Sequence, residues 1–159
     1  DVNKLTDAYE MTEQIGIISN KESKAKMLIS HIKENCSQLQ HSNPNPQTIY
    51  LIWQKPYMTV GGDTFIHSMI EAAGFQNIYA NSTRYPEVTI EELKAKNPDL
   101  IILSSEPFPF NQKHIDELQV HLPTTKIVLA DGEMFSWYGS RLIKAPAYFA
   151  TVSEQIVRP

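Results

Sequence analysis

Among 159 residues there is one cysteine, Cys36, so no intramolecular disulfide can form and no thiolate pair can hold a metal. No run approaches the ~18 uninterrupted apolar residues that a membrane-spanning helix needs. Basic residues are outnumbered, with 14 Lys and Arg against 18 Asp and Glu. A net charge of -4 leaves no electrostatic footprint for nucleic acid. The densest basic stretch, Lys21 to Lys26, is interrupted by Glu22 and reads as a solvated helix face. Glycine is sparse, and its one pair, in "TVGGDTF", lacks the Lys-Ser/Thr of a phosphate loop and the spacing of a dinucleotide fingerprint. It reads as a turn before a helix whose free N–H groups can meet an anion. His31, His41, His67, His114 and His121 show no close ligand pairing, so no directly coordinated metal is expected. Ser104 and Ser105 lack the G-x-S-x-G elbow of a hydrolase. No basic stretch followed by an apolar run opens the chain at Asp1.

What is present suits one globular domain: 42% hydrophobic and 20% charged residues on a chain long enough to bury its own core. Val2, Leu5, Ala8, Tyr9 and Ile15 suggest a first helical piece ending near Gly16. Asn20 can cap a second, from Lys21 to Leu39. Its Ala25, Leu28, Ile29, Ile32, Cys36 and Leu39 repeat at three-and-four spacing as one apolar stripe. Cys36 belongs to that stripe as a small core residue. "HSNPNPQ", residues 41 to 47, breaks both regular periods and is the clearest linker.

Beyond the linker, strand and helix alternate. "TIYLIW", "DLIILS" and "KIVLA" are apolar runs of strand formers, with a short "QNIYA" beside them. "DTFIHSMIEAAG", the segment from Thr89, "NQKHIDELQVHL" and residues 140 to 157 read as helices. This order predicts an α/β fold in which helices cover both faces of a parallel sheet. Right-handed crossovers then place Trp53, Ser104 and Ala130 along one edge, where open parallel sheets meet their ligands. Aromatic residues gather at these strand ends: Trp53 and Tyr57 flank "QKP", and Trp137 and Tyr138 follow the third strand. Such a set suits a large planar or apolar ligand better than it suits chemistry.

The segments "YLIWQKPYMTVGGDTFIHSMIEAAGFQNIYA", "RYPEVTIEELKAKNPDLIILSSEPFPF" and "LADGEMFSWYGSR" resemble the C-terminal lobe of a class III substrate-binding protein of an ABC importer. This is the helical-backbone metal-receptor family that binds cobalamin, iron-siderophores or haem. The resemblance implies a Rossmann-like three-layer lobe over residues 47–159. Before it, residues 1–46 form a helical segment that includes the rigid inter-lobe helix. On the same resemblance, the N-terminal lobe, the other wall of the cleft, is expected to lie outside this chain. It further implies a non-enzymatic protein with no resident cofactor, working in the periplasm or otherwise outside the cytoplasmic membrane, with a metal chelate and an ABC permease as partners.

By position in that family, Trp53, Lys55, Tyr57 and Tyr85 belong to the cleft wall, and Ser136, Trp137 and Arg141 are further candidates. Arg141 can grip a carboxylate, phosphate or catecholate oxygen with its two-donor fork, or make a helix-start salt bridge. Glu106 can accept from a ligand or fix the "EPFPF" loop. The family's glutamate for permease docking falls on Glu91. Locally, Thr89 can cap its helix and Glu92 can close the capping box, which leaves Glu91 free of that duty. Two other readings stay open: a chelate-processing enzyme module of similar fold, and an isolated interaction domain. The latter would dimerise by covering the stripe on the long helix.

Overall fold

The computed structural model describes residues 2–42 and 45–157. Two helices come first, α1 (Leu5–Ile18) and α2 (Glu22–Ser42). Then follow β1 (Gln47–Leu51), β2 (Tyr57–Met58), α3 (Phe65–Ala72), β3 (Gln76–Asn77), β4 (Glu87–Val88) and α4 (Ile90–Lys96). The chain closes with β5 (Leu100–Ser104), α5 (Gln112–His121), β6 (Lys126–Ala130), α6 (Glu133–Ser136), a 3-10 turn (Ser140–Ile143) and α7 (Ala145–Val157).

Alternation along the three apolar strands sorts the layers. Tyr50, Ile52, Leu100, Ile102, Val128 and Ala130 point to one face of the sheet and join a core with α1, α2, α3, α6 and α7. Ile49, Leu51, Ile101, Leu103 and Ile127 point to the other, against Leu93 of α4 and Leu118 of α5. The sheet is parallel throughout, in the order β3-β1-β5-β6. This is the predicted three-layer α/β lobe. In β1 and β5, Ile49, Tyr50, Leu51 and Leu100 to Leu103 are fully buried. At roughly 1.5–3 kcal/mol for each large apolar side chain, this layer anchors the strand ends.

Most of the stripe on α2 is covered from within the chain, while Ile29 is half-buried and lines a surface groove beside α1. Ala25, Ile32 and Cys36 are buried, Leu28 and Leu39 pack against the main core, and α2 lies against α1, α3 and α7. Gly16 lets α1 cross close to α2, since a Cβ there would sit 2.6 Å from the Ala25 Cβ. Asn20 does not cap α2 as predicted. Its φ of 54° puts it in the left-handed turn that ends α1, a conformation asparagine adopts more readily than most residues. Because α2 runs on through Ser42, the predicted linker is shorter than residues 41 to 47, and Asn43 and Pro44 fall outside the described residues. The single closing helix predicted over 140 to 157 divides into the 3-10 turn and α7.

The second, two-stranded ladder, β2 with β4, was not predicted. It extends into a seam of main-chain bonds: Thr59 N donates to Pro86 O at 3.0 Å, Gly61 N to Arg84 O at 2.8 Å and Gly62 N to Ser82 O at 2.9 Å. The glycine pair is explained here. A Cβ on Gly61 would overlap the Ser82 carbonyl and one on Gly62 the Ala80 carbonyl, so the two backbones approach only because both side chains are absent.

Candidate functional site

Parallel register brings the C-terminal ends of β1, β5 and β6 to one edge, with Leu51 opposite Leu103 and Ser104 opposite Ala130. Short bonds bind the loops that leave them. Phe108 N donates to Ile52 O at 3.3 Å, Ser105 N to Ala130 O at 2.9 Å and Gly132 N to Ser105 Oγ at 3.0 Å. Beneath them, the hydroxyl of the fully buried Tyr50 donates to Ser104 Oγ at 3.1 Å, and Ser104 Oγ in turn donates to the Glu106 carbonyl at 2.5 Å. Burial pushes the Tyr50 hydroxyl far above the usual tyrosine range, so it stays a donor. Tyr148 braces the third loop by accepting from Asp131 N at 2.6 Å, and its pKa too is raised, chiefly by burial.

On this frame the structure unites part of the predicted set. Glu106 Oε1 accepts from Ser136 Oγ at 2.9 Å and from Trp137 Nε1 at 3.2 Å. Arg141 lies over the Trp137 ring, 5.8 Å from its centroid, and pairs with Glu133, with Asp131 at 3.9 Å. The inner oxygen of Glu133, Oε2, is shielded from solvent and has the guanidinium as its counter-ion. Trp53 stands at the β1 end, its ring edge-on to Phe108 at 5.6 Å. Both tryptophans remain open, Trp53 at 40% and Trp137 at 51% exposure. A cavity of about 380 Å³ lies beside Trp137, lined by Met11, Ser136, Tyr138 and Gly139.

Other predicted residues lie apart. Lys55 and Tyr57 line a groove of about 660 Å³ with Val88, Thr89, Ile90 and Val120, toward the start of α4. Gln54 Nε2 donates to the Tyr57 hydroxyl at 3.1 Å. Tyr85 is exposed on the 82–88 segment, after Arg84, whose φ is 56° and whose N–H donates to Asp63 Oδ1. Among the described residues no hydrogen bond or ring contact joins Tyr85 to the Glu106 group. Glu91 is exposed in the first turn of α4. There Glu92 N donates to Thr89 Oγ1 at 3.2 Å and Thr89 N to Glu92 Oε2 at 2.7 Å, which is the predicted capping box.

Sequence reasoning passed over Asp131 and Glu133, the partners of Arg141. The signal available was their place directly after a predicted strand, in "ADGE".

The sequence pattern of the periplasmic binding protein family matches residues 1–126. The chain belongs to that family. It is 26% identical over 109 residues to an uncharacterized ABC transporter substrate-binding lipoprotein of Bacillus subtilis, covering 64% of this chain and 35% of the relative. To a vitamin B12-binding protein of Vibrio parahaemolyticus it is 25% identical over 104 residues, 63% of this chain and 38% of that one. The chain thus matches little over a third of the length of these curated relatives. In fold it resembles the crystal structure of a "possible" iron-binding, periplasmic solute-binding protein from Staphylococcus epidermidis. The TM-score is 0.79 at 20% identity, over 99% of this chain and 64% of the other. The family is one of binding proteins, and among the described residues no helix is long and apolar enough to cross a membrane.

Proposed function

We propose that this chain carries one wall of the ligand cleft of an ABC-importer substrate-binding protein for a metal chelate: cobalamin, an iron-siderophore or haem. The protein works outside the cytoplasmic membrane, catalyses nothing, needs no resident cofactor and passes its cargo to a permease. The observation that carries this reading is the pair of open tryptophans at the shared strand-end edge, Trp53 at the end of β1 against Phe108 and Trp137 bonded to Glu106. Large aromatic surfaces on a frame held by main-chain bonds grip a broad ligand with little ordering to do. Ligands of open parallel sheets dock at this edge. Family membership and the vitamin B12-binding relative support the same class of cargo.

In this reading Trp53, Glu106, Ser136 and Trp137 form the floor of the cleft, Arg141 flanks Trp137, and Tyr85 reaches in from the glycine seam. Lys55 and Tyr57 form the outer margin. The helix from Glu22 links this lobe to a second one that closes the cleft. Glu91, stiffly presented by the capped start of α4, meets the permease. Titrating the complete protein with cobalamin, haemin and ferric siderophores should quench tryptophan emission for at least one of them, and substituting Trp53 or Trp137 with Leu should diminish the signal. A flat response to every chelate would remove the reading.

A further inference from the structure

Ligand charge is also written into this wall. Resting on the cleft reading above, we infer that the protein selects a neutral or cationic chelate that presents hydrogen-bond donors, and that Glu106 is the residue that makes the selection.

The donors around Glu106 are already engaged by the protein. Ser136 Oγ faces Glu106 Oε1 at 2.9 Å and the Gly132 carbonyl at 2.8 Å, and Trp137 Nε1 donates to the same carboxylate oxygen. Arg141, the cation that an anionic ligand would seek, is held between Glu133 and Asp131. Asp131 and Glu133 already outnumber that guanidinium, and Glu106, tied to Ser136 and Trp137, has no ion pair among the described residues, so formal charge at these four groups is negative by two. The capacity left over is acceptor capacity: no hydrogen bond to Glu106 Oε2 occurs among the described residues. A carboxylate accepts and never donates, so its complement is an N–H, an O–H or a positive charge on the cargo. The Trp137 N–H, together with the Ser136 hydroxyl whose single proton is shared with the Gly132 carbonyl, holds Oε1 in one orientation, which pre-pays the ordering that recognition requires. A ligand bearing carboxylates or catecholate oxygens would set like charge against like at the same place, and such juxtaposition suppresses wrong partners.

The test is equilibrium binding to the complete protein, followed by tryptophan emission and calorimetry, with ferrioxamine B as a cationic probe, ferrichrome as a neutral one, and haemin and ferric citrate as anionic ones. The wild type should bind ferrioxamine B or ferrichrome most tightly. Glu106→Gln, which keeps an acceptor for Ser136 and Trp137, should weaken ferrioxamine B about tenfold, the scale of one charge-assisted hydrogen bond. Its melting temperature should stay that of the wild type. Glu133→Gln, which releases Arg141, should instead strengthen the anionic probes. If haemin or ferric citrate binds tightest, or Glu106→Gln leaves ferrioxamine B unchanged, the charge inference falls while the chelate-cleft reading stands. Cobalamin, neutral and rich in amide donors, is titrated alongside, and binding of none of the five overturns both.

Discussion

Replacing Gly132 with Ala tests the frame beneath the cleft. Gly132 has φ -60° and ψ -32°, which alanine adopts freely, so backbone strain plays no part. The added methyl has nowhere to go. It would overlap Ser104 Oγ and lie 2.6 Å from Glu106 Cγ, against an ordinary contact of 3.4 Å or more. Ser104 must yield, and with it the bond from the buried Tyr50 hydroxyl. Overpacking of this kind costs about 1–3 kcal/mol, and a buried donor left without a partner about 1–3 kcal/mol more. The two overlap in origin, so the expected loss is about 2–4 kcal/mol, read as a lower midpoint in urea unfolding followed by tryptophan emission. Tyr50→Phe supplies the internal control, because it removes the donor that would be orphaned. In that background Gly132→Ala should destabilise by about 1 kcal/mol less, a coupling that a double-mutant cycle measures directly. A midpoint unchanged by Gly132→Ala, or equal losses in both backgrounds, would refute the proposed chain of contacts.

Thr89→Ala removes the side-chain acceptor at the start of α4 and should cost about 1 kcal/mol in denaturant unfolding, whereas the exposed Glu91→Ala should stay within about 0.5 kcal/mol. Glu91→Ala should nevertheless lower chelate uptake by cells while leaving chelate affinity intact, and uptake equal to wild type would dismiss the docking role. Burial raises the Cys36 thiol from its ordinary 9.0 to about 11, so it should resist alkylation at pH 8 until the protein is unfolded. Its contribution to stability is full below pH 9 and declines as pH rises from there through about 11, because only the unfolded state then sheds its proton. Cys36→Ala should flatten that part of the stability profile.

Three apolar runs of strand formers and the spacing between them were enough to predict a parallel sheet with helices on both faces, since strand burial on two sides leaves a near-continuous apolar signature. Thr89 and Glu92 were legible for a related reason: a capping box is a local device, complete within four residues. Asn20 misled because asparagine serves both as an N-cap and in left-handed turns, and only the tertiary crossing of α1 on α2 decides between them. β2 and β4 escaped notice because each is two residues long and its partner lies some thirty residues away. The same distance hid the core of the site. No periodicity connects Glu106 with Ser136 and Trp137, and for Arg141 a ligand anchor and a salt bridge both stayed open until its two carboxylate neighbours came into view.

The seam between residues 57–62 and 82–88 separates position from chemistry. Its bonds run from main chain to main chain, and its glycines are needed for what they lack. Side chains such as Tyr85 and Glu87 ride on it without holding it in place. A lineage of such proteins can therefore exchange the residues at 85 and 87 to suit a new cargo while the scaffold keeps its shape, so the strap is a place where specificity can drift without a folding penalty. The same freedom makes it the first segment to randomise when retargeting the protein, with Gly61 and Gly62 left untouched.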